Sequence, residues 1–271
     1  MTLVKDARVW YARAYEERFA MPAFNVCNLE MAQGVLEAAE EERAPVILQT
    51  YPGDTAHGDP GLAPMLRALG GEAGVPVILH LDHGQGMEMV VERLRLGYSS
   101  VMFDGGELDL EENIRLTGRI AEVAHAFGAS VEGEVGLFGG DHGSVALTEP
   151  GEAERFVAES GVDTLAVSVG SEHHQKSRLD LARLGAIAEV AKCPLVLHGG
   201  SGIHAGDVRE AVALGVAKIN IGHAISLAMT GGADEALGVG MDHYGMLKVM
   251  RDSIRAVARE KLRLTQAAEH A

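Results

Sequence analysis

Eight short apolar runs, each followed by a helical pattern, constrain the fold of this chain more than any other feature. Their apolar residues are continuous rather than alternating, which indicates strands buried on both faces in a parallel sheet. Eight such units within 271 residues predict an α/β fold, a (β/α)8 TIM barrel. A doubly wound open sheet is the runner-up, although no Gly-x-Gly-x-x-Gly motif follows the first run. The strands are predicted near residues 21–26, 45–50, 76–82, 99–104, 130–135, 164–170, 194–200 and 217–222.

Helical periodicity fills most of the chain between these strands. Asn28 is a candidate N-cap, and residues 52–60, rich in Gly, Pro and Asp, predict a loop. Gly231-Gly232 and Gly238-Val239-Gly240 predict a break before a long basic amphipathic helix over residues 242–264, either a subunit-contact arm or an outer helix with a solvated face. We expect one domain over residues 1–271. The remaining helices are predicted near residues 1–20, 28–43, 61–70, 86–96, 109–127, 150–160, 180–191, 205–214 and 223–232.

Charge and composition exclude several classes of function. A formal net charge of −16 without basic runs argues against a nucleic-acid surface. The chain shows neither a secretory signal nor an apolar run of the length that crosses a membrane, so a cytoplasmic location is the default expectation. Cys27 and Cys193 lie far apart in or beside apolar strands, and we expect two reduced core residues rather than a disulfide.

An acid and a histidine side by side end the third predicted strand, at Asp82-His83. Such groups are costly to bury without partners. Neighbours on a strand point to opposite faces, so both side chains reach one cavity only where the strand gives way to a loop. Our hypothesis is that His83 binds a metal ion and that Asp82 transfers protons beside it.

Other strand ends supply further ligands for that metal. His173 follows the sixth strand, and His198 ends the seventh. Chemistry in a βα-barrel lies at the carboxyl ends of the strands. Three imidazoles with an open fourth position are the arrangement expected of a catalytic Zn²⁺, and carboxylates stand nearby at Asp104 and Glu134. The turn at residues 199–202 is either an anion-binding cradle or a tight turn that needs glycine.

Six stretches together match a known family. They are residues 23–26, 81–84, 100–105, 132–136, 197–202 and 218–220. On these motifs the chain resembles the class II, zinc-dependent fructose-bisphosphate/tagatose-bisphosphate aldolase family over nearly its whole length. The resemblance implies cleavage of a C–C bond in a ketose or ketose phosphate, with Zn²⁺ carrying the enediolate charge. Lys218 is conceivable as an imine former, but the metal route is favoured.

The resemblance also implies roles for individual residues. His83, His173 and His198 match the zinc ligands, and Asp82 matches the acid–base residue. Asp104 and Glu134 match carboxylates that hold the metal in an alternative position, so a second divalent or monovalent cation site is conceivable. The residues that match contacts to dihydroxyacetone phosphate are Asn25, Gly199, Ser201 and Asn220. The partners implied are a sugar or sugar-phosphate substrate and a second copy of the chain, in a homodimer or homotetramer, with neither nucleic acid nor membrane.

Four departures from the family pattern cluster around the substrate. His174 replaces a glycine after the sixth strand, and Tyr51 stands where a small phosphate-binding serine is usual. Gly222-His223 replaces a segment that carries a threonine. The loop over residues 139–143 lacks the usual glutamate, and His142 or Asp141 is the candidate for its proton transfer.

Two interpretations of these departures stay open, namely ordinary loop variation and a changed substrate. His174 and His223 could still bind an anion as imidazolium donors. Three functions are therefore considered. The leading one is a metal-dependent aldolase. The others are a non-catalytic sugar- or metabolite-binding barrel and a metal-dependent sugar isomerase or epimerase.

Overall fold

The computed structural model describes residues 2–136, 146–171 and 175–271, and its centre is a closed barrel of eight parallel strands. Each strand pairs with the next, and Met21 of the first opposite Lys218 of the last closes the barrel. The predicted (β/α)8 architecture is confirmed, and the open-sheet alternative is wrong. The strands are β1 Met21–Asn25, β2 Val46–Thr50, β3 Val77–Gly84, β4 Ser100–Phe103, β5 Ser130–Val135, β6 Thr164–Val167, β7 Leu195–Leu197 and β8 Val216–Ile221.

Helices surround the barrel and return the chain from each strand to the next. Among the described residues, none of these helices is long and apolar enough to cross a membrane. Cys27 and Cys193 are free thiols, as expected. The helices are α1 Ala7–Glu17, α2 Leu29–Glu41, α3 Pro52–Gly58, α4 Leu62–Glu72, α5 Met87–Arg95, α6 Leu110–Ala126, α7 Pro150–Ser160, α8 Leu181–Ala191, α9 Ala205–Ala213, α10 His223–Gly238 and α11 His243–Leu264.

The amino-terminal segment is less helical than the prediction over residues 1–20. Asp6 caps α1 by accepting from the backbone N–H of Arg8. Before that cap the chain is extended beside β3, where Val4 donates to the Val77 carbonyl and Val77 donates to the Thr2 carbonyl. The first residues therefore pair with the barrel strand through backbone hydrogen bonds.

The predicted loop at residues 52–60 is mostly the short helix α3. Pro52 occupies its first position, where a missing N–H costs nothing. Asp54, at the third position, accepts a hydrogen bond from the backbone N–H of Tyr51, the residue before the helix, so that this N–H has a partner. Because α3 follows β2 directly, Tyr51 is held at the carboxyl end of that strand. Strands β6 and β7 also end earlier than predicted.

The predicted break falls at the second of its two glycine stretches: α10 continues through Gly231-Gly232 and ends at Gly238, and α11 begins at His243. A Cβ on Gly232 would lie 2.9 Å from the Cα of Met250, so the glycine allows α10 and α11 to pack closely. Helix α11 also packs along α2, to which its basic face is paired. These ion pairs join Arg251, Arg255, Arg259 and Arg263 to Glu37, Glu41 and Glu42. The basic face is thus mainly an intramolecular contact.

Candidate active site

An irregularity in β3 brings Asp82 and His83 into one cavity. The pairing of β3 with β4 shifts register between Leu81 and Gly84. His83 has a φ of 49°, in the left-handed region that non-glycine residues rarely adopt. A regular strand would turn its two side chains to opposite faces, and the bulge removes that alternation. Both side chains therefore face the mouth of the barrel.

Three amide side chains hold the Asp82 carboxylate. Asn25 Nδ2 and Gln49 Nε2 donate to Oδ2 at 3.0 and 3.1 Å, and Asn220 Nδ2 donates to Oδ1 at 2.9 Å. Burial alone would raise the pKa of Asp82, but the charges of His83, His198 and Lys218, followed by hydrogen bonding from Asn25, lower it to about 2. The carboxylate is therefore ionised and oriented. Gln49 is a site residue that the sequence analysis missed.

His83 lies between carboxylates and beside a second histidine. Its Nδ1 is 2.8 Å from Asp104 Oδ2, and its ring meets the edge of the His198 ring with centroids 4.9 Å apart. Burial lowers the pKa of His83, but the Asp82 charge and the Asp104 hydrogen bond outweigh it and raise that pKa to about 10. The environment of His83 is thus built for positive charge.

Glu134 completes this cluster from β5. Its Oε2 lies 3.7 Å from His198 Nδ1, and this fully buried oxygen has no hydrogen-bond partner within the described ranges. Burial raises the pKa of Glu134 to about 8. A buried carboxylate oxygen without a hydrogen bond is expensive unless a cation completes its surroundings.

The side chains together fit a small divalent cation. Ligand atoms of Asp82, His83 and His198 lie within 4.8 Å of one another, and so do those of His83, Asp104 and Glu134. Imidazole nitrogens and carboxylate oxygens are the ligands that zinc accepts. His83 belongs to both groups, so the residues offer two neighbouring positions for an ion.

A second polar layer, which the sequence analysis did not anticipate, lies directly beneath the first. Glu132 accepts from Lys218 Nζ at 2.8 Å through Oε2, and its Oε1 lies 3.0 Å from His198 Nε2. His80 Nε2 is 3.7 Å from the same glutamate. All four side chains are fully buried. Because Lys218 is committed to this ion pair, the structure gives no support to an imine-forming role.

The signal for this layer is present in the strands as pairs of polar residues two positions apart. Alternate residues of a strand share a face, so each pair puts one residue in the upper layer and one in the lower. TIM-barrel interiors are usually filled by branched apolar side chains. The pairs are His80 and Asp82, Glu132 and Glu134, and Lys218 and Asn220.

The turns around the mouth carry the predicted substrate residues. Gly199 has a φ of 68°, and Gly200 donates to the Asn220 carbonyl, so this is a tight turn that requires glycine. Ser201 Oγ accepts from the backbone N–H of Ala224 at 3.1 Å and so contacts the first turn of α10. His223 is the first residue of that helix.

Some predicted residues lie at the site or its mouth, and others fall outside the described residues. Asn25 and Asn220, expected to contact substrate, both donate to Asp82, and their contact with substrate stays a prediction. Tyr51 stands before α3 with 46% of its surface exposed. The predicted residues that lie outside the described ranges are Asp141, His142, His173 and His174.

Comparison with known proteins agrees with this geometry. A sequence model of the family "Fructose-bisphosphate aldolase class-II" matches residues 5–270. The fructose-bisphosphate aldolase of Thermus caldophilus is 38% identical over an alignment of 288 positions, gaps included, which covers 93% of this chain and 94% of that protein. That of Geobacillus stearothermophilus is 36% identical over 265 residues, 92% of each chain.

Solved structures extend the similarity to three dimensions. The crystal structure of the YdjI aldolase from Escherichia coli K12 has a TM-score of 0.92 and 33% identity, and the match covers 99% of both chains. An aldolase structure from Coccidioides immitis, described as a putative fructose-1,6-bisphosphate aldolase, has a TM-score of 0.91 and 28% identity over 98% of both chains. The matched length, the barrel and the strand-end residues agree, and the chain belongs to the class II fructose-bisphosphate aldolase family of carbon–carbon lyases.

Proposed function

We propose that this protein is a metal-dependent aldolase that cleaves or forms a C–C bond in a ketose or ketose phosphate. The observation that carries the proposal is the convergence of Asp82, His83 and His198, with ligand atoms within 4.8 Å of one another. Family membership favours aldol chemistry over the binding-barrel and isomerase interpretations.

The proposed cofactor is one Zn²⁺, held by His83 and His198 and, by resemblance to the family, by His173. Asp104 and Glu134 would serve a neighbouring cation position. When bound, the ion supplies Lewis-acid stabilisation of the enediolate charge that develops on the ketone fragment.

Asp82 is the proposed acid–base residue. In the cleavage direction its ionised carboxylate accepts the proton of the hydroxyl on the carbon that becomes the aldehyde, and in synthesis it returns that proton. Asn25, Gln49 and Asn220 keep the carboxylate oriented while it does so. This placement is the preorganisation that a general base requires.

Proton transfer at the carbon of the ketone fragment needs a second residue. We propose His142, with Asp141 as the alternative, because an imidazole titrates near neutral pH. His142→Ala should abolish exchange of the donor's α-proton into deuterated water, and Asp141→Asn should leave exchange intact. Equal exchange in His142→Ala and in the unmodified protein would remove His142 from this role.

The substrate is proposed to differ from fructose bisphosphate at its phosphate-binding end. Tyr51 places a ring at the end of β2, and α10 begins with Gly222-His223 instead of a hydroxyl residue. His174 is a further change by sequence. The groups proposed to contact the donor are Gly199, Ser201 and His223, together with Asn25 and Asn220.

One set of assays tests both the reaction and the substrate. Removing metal with a chelator should abolish cleavage, and Zn²⁺ or Co²⁺ should restore it. Activity that survives complete removal of metal would contradict the metal-dependent mechanism. A panel of phosphorylated and unphosphorylated ketoses, analysed for change in carbon count, identifies the donor and separates an aldolase from an isomerase.

We further propose a homodimer or homotetramer that works in the cytoplasm. Exposed apolar side chains at the turn between α10 and α11 support the assembly, and they are Leu237, Val239, Met241 and Tyr244. Sedimentation velocity measures the assembly, and cell fractionation measures the location.

A further inference from the structure

The interior of the barrel contains a buried ion pair that the proposed reaction does not use. Glu132 and Lys218 are fully buried, and their charged atoms are 2.8 Å apart. Buried ion pairs are costly to desolvate and are weak evidence for stability on their own. What this pair contacts therefore matters more than its strength.

The contact is the candidate metal ligand His198. The two oxygens of Glu132 are divided, with Oε2 facing Lys218 and Oε1 at 3.0 Å from His198 Nε2. An ammonium group is a donor only, and so a carboxylate engaged by Lys218 has only acceptor oxygens to offer the imidazole. Nε2 of a neutral His198 must then carry the hydrogen.

We propose that the Glu132–Lys218 ion pair is a positioning device that fixes the tautomer of His198 and directs its Nδ1 toward the metal ion. Nδ1 is the nitrogen that lies 3.7 Å from Glu134 Oε2, and Glu134 shares a group of candidate ligands with His83 and Asp104. A neutral imidazole binds metal only through the nitrogen that lacks hydrogen, and its other nitrogen is usually held by a carboxylate or carbonyl. Glu132 and Lys218 touch neither substrate nor metal in this role.

Lys218 can only donate a hydrogen bond, so it decides which end of the side chain at position 132 faces His198. A pair of variants separates this hydrogen-bonding effect from the effect of the Glu132 charge. In Glu132→Gln, the side chain keeps its size but has one acceptor and one donor end. Lys218 can accept nothing, so the Gln carbonyl must turn to Lys218 and its NH2 to His198. Nε2 then has to accept, the hydrogen moves to Nδ1, and the metal-facing nitrogen is blocked. In Glu132→Gln with Lys218→Met, the carbonyl is released to face Nε2 again.

The inference rests on the proposed metal site, but its first test does not need a metal. Nitrogen NMR of the 15N-histidine-labelled, metal-free full chain distinguishes the two tautomers at about pH 8.5, two units above the ordinary imidazole pKa. His198→Gln assigns the signal by its disappearance. An Nε2–H tautomer for His198 in the unmodified protein supports the proposal, and an Nδ1–H tautomer overturns it.

The second test measures metal affinity by competition with a chelator and follows the absorption spectrum of bound Co²⁺. Glu132→Gln should weaken affinity about 10- to 100-fold, as loss of a supporting hydrogen bond does in other metal sites. The double variant should recover most of that loss. Glu42→Gln is the matched control, because Glu42 is also a buried carboxylate paired to basic residues but lies at the α2–α11 contact. It should lower stability and leave metal affinity unchanged.

The outcomes separate the two proposals. Unmodified protein with the Nε2–H tautomer but no affinity for Zn²⁺ or Co²⁺ contradicts the proposed function and the direction of Nδ1 toward a metal, and it leaves only the tautomer assignment standing. Metal affinity in Glu132→Gln within twofold of the unmodified protein overturns the positioning role and leaves the metal site standing. A double variant that binds metal as weakly as Glu132→Gln also overturns the positioning role. That role predicts recovery of metal affinity without restoring the charge of Glu132.

Discussion

The role of Asp82 is the most direct test of the proposed mechanism, and Asp82→Asn is the smallest change that removes it. The amide keeps the size and shape of the carboxylate but accepts no proton. General acid–base catalysis contributes about 10²- to 10⁴-fold, so we expect kcat to fall by at least about 100-fold. The proposed metal ligands His83 and His198 are left unchanged.

The structural cost of the same substitution should be small. Oδ1 of Asp82 faces only Asn220 among the amides that hold the group, whereas Oδ2 receives both Asn25 and Gln49. The new NH2 group should therefore take the Oδ1 position. Asn220 has a buried Oδ1 without a hydrogen-bond partner in the described structure, so rotating its amide turns an acceptor toward that NH2. One remade hydrogen bond leaves a net cost of about 1 kcal/mol.

The assay compares cleavage rate, bound metal and melting temperature for the two proteins. Asp109→Asn is the control, because it makes the same chemical change at an exposed helix cap where Asn and Asp serve equally. The expected result is a loss of kcat with metal content retained and a melting temperature lower by a few degrees. Asp82→Asn with metal bound and more than a tenth of the normal kcat would refute the acid–base role.

Three further predictions concern stability. Glu42→Gln should cost roughly 1 kcal/mol in chemical denaturation, since its arginine partners are partly exposed; an unchanged midpoint would contradict the α2–α11 contact. Hydrogen bonds from Arg263, and after it from Arg259, lower the pKa of Glu42 although burial opposes them. The stability that ionised Glu42 contributes is therefore present above about pH 4.5 and is lost as pH falls through the lowered pKa. An acid titration of the unfolding free energy should show that loss reduced in Glu42→Gln. Gly133→Ala would put a Cβ 2.4 Å from the Phe156 ring and should cost about 1–3 kcal/mol, whereas Gly151→Ala, with open space around it, should be neutral in the same melt.

Patterns within single strands were sufficient to predict the barrel. Continuous apolar runs predict strands buried on both faces, and β5 lies where the sequence placed it, at Ser130–Val135. Local chemistry also predicted the Asn28 cap, whose side chain accepts from the backbone N–H of Met31. These features depend on neighbours in sequence, and for that reason they were accessible without a structure.

The errors occurred where contacts distant in sequence decide the outcome. Residues 2–4 pair with β3 through backbone atoms, which leave no trace in side-chain periodicity. Gly232 favours a break by its own propensity, but the approach of Met250 makes a small residue necessary there. The error at α3 is a local one instead, because the turn-forming residues Pro52 and Asp54 also serve as a helix start.

The residues of the candidate site also differ in whether the sequence alone could predict them. Asp82, His83 and His198 could be predicted because strand ends converge in a barrel. The supporting role of Glu132 and Lys218 was missed, although both residues stand in matched motifs. They lie on β5 and β8, and they become partners only when the strands close into a barrel. The bulge that directs His83 inward depends on the register of β4.

The short helix α3 has a consequence for redesign of this protein. It is joined directly to β2, which carries Gln49 in its interior, yet Tyr51 at its start is half exposed. The proposed determinant of donor preference, Tyr51, and the proposed support of the acid–base residue, Gln49, thus lie on opposite sides of a single residue, Thr50. A saturation library confined to position 51 and to the first turn of α10 should yield variants with altered donor selectivity. Asp82 and its hydrogen bonds from amide side chains would stay unchanged in every variant.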